Sequence, residues 1–79
     1  MASPHAYLPG TVVAVTPDDD DECNALGLYV GTGGDVAVLP AGNTASVTFA
    51  NVPDGAFLPC QVKKVLSTGT TASDILALT

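Results

Sequence analysis

The residues able to do chemistry are few. Four aspartates and a glutamate stand in a row at "DDDDE", Asp18–Glu22, and a glycine-rich "GTGGD" spans Gly31–Asp35. Nucleophile and base candidates reduce to Cys23, Cys60, scattered Ser and Thr, and one histidine, His5. Each set implies a different chemistry. A carboxylate run can hold a hard cation, a glycine loop can cradle a phosphate, and a thiol or hydroxyl beside an imidazole can attack a carbonyl.

None of the three patterns is complete. An EF-hand loop starting at Asp18 needs glycine at its sixth position and glutamate at its twelfth, and those positions hold Cys23 and Tyr29. A phosphate loop opens a helix and carries GxGxxG or a Walker lysine, whereas "GTGGD" runs into the strand-like "DVAVLP" with Asp35 where phosphate charge would sit. Nucleophilic catalysis needs a base held within about 3 Å of the nucleophile. His5 lies in the proline-flanked "SPHAYLPG" and is not anchored by it. No catalytic, cofactor or metal residue is assigned, and no enzymatic activity is expected. The two cysteines lack CxxC spacing and read as reduced thiols, with Cys60 inside a strand.

The elements that would position such residues are strands. Eight glycines and six prolines punctuate segments rich in Val, Thr and Leu, the pattern of a small antiparallel β-sandwich or partly open barrel. About six short strands are expected: "TVVAVT", "ALGLYVG", "DVAVLP", "ASVTFAN", "AFLPCQVKKVLS" and "DILALT". In the fourth, Val47 and Phe49 point one way and Ser46, Thr48 and Ala50 the other. In the fifth, Lys63-Lys64 breaks the alternation, and a β-bulge there would return Val62 and Val65 to one inner face. The turns fall at Gly31, Gly33 and Gly34, read as a hairpin tip; at Gly42, where a tight hairpin asks for positive φ; at Asp54-Gly55; and at Gly69. Residues 1–10 read as an extended N-terminal arm, and 11–79 as a single β domain.

Composition limits the partners. The chain has 79 residues and a net charge of −6, with Lys63 and Lys64 as its only basic residues besides His5. Phosphate binding needs cations, so neither nucleic acid nor an acidic membrane surface is expected as a partner. The apolar runs fall short of the ~20 residues that cross a bilayer, and "MASPHAYLPG" lacks the basic and apolar regions of a secretory signal, which favours synthesis in the cytoplasm. Apolar residues make up 47% of the chain and charged ones 13%, against a typical charged share of about 25%. A chain this short buries only about 60% of its unfolded surface, so assembly with identical neighbours is expected to complete it.

The segments "VAVTPDDD", "LYVGTGGDVAV", "VTFANVPDGAFLP" and "VLSTGTTASDILAL" resemble, in order, the small spike-base proteins of tailed phages and gene transfer agents, from about Val13 onward. That resemblance implies a β-structured virion protein on the capsid exterior, made in the host cytoplasm, that acts as head decoration (cement) or spike base. Its implied partners are itself, as a homotrimer or homopentamer, the major capsid protein, and a spike fibre protein where one is carried. The arm residues Pro4, His5, Tyr7, Leu8 and Pro9 are the expected capsid or subunit contact. The alternative is a carbohydrate- or receptor-binding β module of a spike or fibre, for which exposed aromatic platforms are few. The chain departs from the family where arginines are usual, before "LYVG" and after "LP", and in ending on Thr79.

Overall fold

Glycine, proline and acidic turns divide the chain into seven strands among the described residues, which in this computed structural model are 10–79. They are β1 (Val12–Val15), β2 (Gly27–Thr32), β3 (Gly34–Pro40), β4 (Val47–Val52), β5 (Ala56–Leu58), β6 (Val62–Val65) and β7 (Ser73–Leu78). Two antiparallel sheets result, one ordered β1-β7-β2-β5 and the other β4-β3-β6. The architecture is the expected all-β one.

The core lies between the sheets, as alternation requires. Leu28, Val30, Leu58, Ile75 and Ala77 come from the four-stranded sheet, and Val36, Val38, Val52, Val62 and Val65 from the three-stranded one. Phe49 packs against this cluster from β4. The lysine bulge is present. Leu39 stands opposite Lys64 and Pro40 opposite Val62, so Lys63 is the extra residue and both valines reach the interior. A second bulge sets Gly34–Val36 against Phe49–Val52, where Asn51 takes φ 57° and its N–H donates to Asp35 Oδ1 at 3.0 Å.

Four sequence-based expectations change. The fifth segment is two strands rather than one, because Pro59 cannot continue the ladder and the chain moves to the other sheet. Cys60 therefore sits in the connection, not in a strand. Gly31, Gly33 and Gly34 form no hairpin tip, since β2 and β3 belong to different sheets and Gly33 is the corner between them. A Cβ on Gly33 would run into the Val52 carbonyl and lie 3.0 Å from the Asp54 nitrogen. Close packing requires that glycine, not a left-handed φ. Gly42 lies in the one hairpin that joins neighbouring strands among the described residues, β3–β4, yet has no positive φ. That turn closes instead by the Asn43 N–H donating to the Pro40 carbonyl. Gly55 and Gly69 do take positive φ, at 75° and 94°.

Candidate functional site

The register of the four-stranded sheet fixes what each face shows. With Leu28, Val30, Ile75 and Ala77 inward, the opposite face carries Val12 and Ala14 from β1, Leu76 and Leu78 from β7, Tyr29 from β2 and Phe57 from β5. Tyr29 stands directly opposite Phe57 on one side and Leu76 on the other. The Phe57 ring lies over Gly27, where a Cβ would come within 3.0 Å of it. Val12, Phe57 and Tyr29 remain 57%, 53% and 39% exposed. The four strands contain one charged residue, Asp74, at the start of β7. Its carboxylate accepts a hydrogen bond from the Thr32 hydroxyl at 2.9 Å. This sheet is apolar on both sides, and among the described residues nothing covers its outer side.

The three-stranded sheet is finished differently. Its β6 edge is covered by the acidic loop: the N–H groups of Asp18, Cys23 and Ala25 donate to the carbonyls of Val65, Lys63 and Val62. Asp18 Oδ1 accepts the N–H groups of Asp20 and Asp21. Asp19 ties the loop to the β6–β7 connection, accepting from the Thr68 hydroxyl (2.6 Å), the Thr68 N–H (3.0 Å) and the Ser67 hydroxyl (3.2 Å). The Thr68 hydroxyl, foremost among these donors, holds the Asp19 carboxyl below its ordinary range. With Glu22 Oε1 accepting from the Asn24 amide at 3.5 Å, three of the five acids thus serve the loop itself. Among the described residues no group of three or more His, Cys, Asp and Glu side chains is placed to hold a metal ion.

A groove of about 410 Å³ opens between β1 and the acidic loop, lined by Val13, Val15, Cys23, Val65 and Glu22. Val13 faces inward yet stays 50% exposed, because the sandwich gapes at this edge. Cys23 and Cys60 are free thiols, both half-buried, and burial pushes the Cys23 thiol up. The expected contact residues Pro4, His5, Tyr7, Leu8 and Pro9 lie outside the described residues. Sequence reasoning missed Val12, Tyr29, Phe57, Leu76 and Leu78 as a surface. The available signal was "GLYV" and "ILAL", apolar at nearly every position where a half-covered strand would alternate.

No family model and no curated protein matches the chain. Among solved structures it is similar to a chain from the capsid of a native GTA (gene transfer agent) particle computed with C5 symmetry. The two are 28% identical with a TM-score of 0.81, over 99% of this chain and 92% of that one. The likeness supports a phage-like, capsid-associated structural protein.

Proposed function

We propose that this chain is a virion structural protein of the capsid exterior, a head decoration (cement) or spike-base protein that binds the major capsid protein as a symmetric homo-oligomer. The observation that carries the reading is the likeness to the GTA capsid chain, which extends over nearly the whole sequence. The bare sheet face and the low charge suit a subunit that works by contact alone. Several weak contacts made by one ring reinforce each other at high effective concentration, so no single strong site is required. In this reading the arm residues Pro4, His5, Tyr7, Leu8 and Pro9 reach the shell, and two prolines lower the entropy lost on ordering.

The test is co-sedimentation of the purified chain with heads assembled from the accompanying major capsid protein, joined to a native mass measurement. Saturable binding by a pentamer supports a vertex base, and binding by a trimer supports a cement protein. Deleting residues 2–10 is expected to weaken head binding while the remaining chain stays folded. A chain that leaves heads bare at saturating concentration would refute the proposal.

A further inference from the structure

We propose that the outer face of the four-stranded sheet is the contact between neighbouring copies of this chain. This rests on reading the chain as a homo-oligomeric capsid component, and it assigns the surface that closes the assembly.

The first ground is the strand pattern. Strands covered on one face alternate, whereas strands covered on both are apolar throughout. β2 and β7 are of the second kind, with Leu28, Val30, Ile75 and Ala77 inside and Tyr29, Leu76 and Leu78 outside. Only the inner layer has a partner among the described residues.

The second ground is charge, and it selects the occupant. Copies that each carry −6 repel wherever carboxylates meet. Five acids stand in the β1–β2 loop, while Asp35 and Asp54 flank the Gly33 corner, where their oxygens accept the N–H groups of Asn51 and Gly33. The outer sheet face holds only Asp74, at its end and bonded to Thr32. A second copy can therefore dock here without stacking like charges. Interfaces between identical subunits are also the more apolar class, while surfaces that choose foreign partners draw on charge for discrimination. An uncharged face spread over four strands is of the first kind. A chain too short to bury much surface gains most from a partner present at the same concentration as itself.

The experiment uses the full chain in a dilution series followed by native mass and sedimentation. Phe57→Ser and Val12→Lys sit on opposite edge strands, and each is expected to raise the concentration needed for assembly about tenfold or more. Thr48→Lys, on the exposed far side of β4, is expected to leave it unchanged. Hydroxyl-radical labelling of Tyr29 and Phe57 should fall as the wild type assembles, a readout that does not depend on any variant folding. Unaltered assembly in both face variants, or equal labelling of assembled and dilute chains, overturns the proposal. So does a rise in labelling of the dilute chain after deletion of residues 2–10, which would give the face to the chain's own arm. Head binding is scored separately. An oligomer closed by this face that ignores heads refutes the proposed function alone. A homo-oligomer that binds heads and assembles unaltered in both face variants refutes this inference alone.

Discussion

Leu28 and Tyr29 are neighbours on β2 that point to opposite faces, and substituting them separately tests the register of the whole sheet. Leu28 is fully buried, packed with the valines of the opposing sheet, while Tyr29 lies on the bare face against Phe57. Leu28→Ala removes apolar contacts and leaves a cavity, a cost of about 2–5 kcal/mol. At roughly 0.05–0.15 kcal/mol per residue, a chain of this size has about 4–12 kcal/mol of stability, so the variant sits near the edge of folding. Tyr29→Ser loses mainly a cross-strand aromatic pair, about 0.2–1 kcal/mol. One kcal/mol moves the melting temperature of a domain this small by about 4–8 °C. In dilute solution Leu28→Ala should therefore melt at least about 8 °C lower, and Tyr29→Ser lower by no more than about 8 °C. Circular dichroism melts at a concentration where native mass shows single chains would measure both. If the proposed assembly forms at higher concentration, repeating them there should leave the Leu28→Ala deficit in place and enlarge that of Tyr29→Ser, because assembly would no longer stabilise that variant's folded state by mass action. Equal losses from the two substitutions in the dilute regime would refute the assignment of inner and outer faces.

The glycines give a second contrast. Gly33→Ala forces a Cβ against the Val52 carbonyl and should destabilise by about 1–3 kcal/mol or more, whereas Gly42→Ala enters open space at an ordinary φ and should stabilise by about 0.4–1 kcal/mol in urea titrations. At Asp19 the folded pKa is lowered, so the tether to Thr68 is complete above the ordinary carboxylate range and is lost as pH falls through the lowered value. The Thr68 amide resonance should report that titration by NMR, and Asp19→Asn should abolish it. Cys23, with its thiol pushed up by burial, should be alkylated more slowly at neutral pH than free cysteine, as mass spectrometry of iodoacetamide-treated folded chain would show.

The strands were legible because alternation and turn chemistry are local. Val47 and Phe49 on one face, the Lys63 bulge, and the turns at Gly55 and Gly69 all follow from short windows of sequence. Which strands pair did not follow. A two-residue glycine turn between apolar runs reads equally well as a hairpin or as a corner, and only the collapse of two sheets onto one core decides between them. The same holds for "VPDG", which carries the chain from β4 in one sheet to β5 in the other. The threonines at 68, 70 and 71 gave no signal either, since their hydrogen bonds to Asp19, Ala37 and Asp35 span more than 30 positions. The bare face was half legible. Its residues were visible as unbroken apolar runs, but the exposed side of those runs depends on a register that no local pattern sets.

That register also explains why the face stays bare. Four of the six connections change sheets: β2 to β3, β4 to β5, β5 to β6 and β6 to β7. Two of these corners are bolted together, with the Gly33 N–H donating to Asp54 Oδ1 at 2.6 Å and the Gly55 N–H to the Val30 carbonyl at 2.8 Å. Corners of this kind keep each connection at an end of the sandwich, so none is free to fold across the outside of β7 and β2. The acidic loop, the longest connection, is spent on sealing the β6 edge. A sheet whose two central strands are apolar on both sides is thus left with a wall that its own loops cannot reach. Water-exposed Val12, Tyr29 and Phe57 would favour uncontrolled association in a chain that lacked a specific partner. Among the described residues the topology leaves this face without a cover, and in the proposed homo-oligomer closed symmetry would use up such a face without leaving another one open.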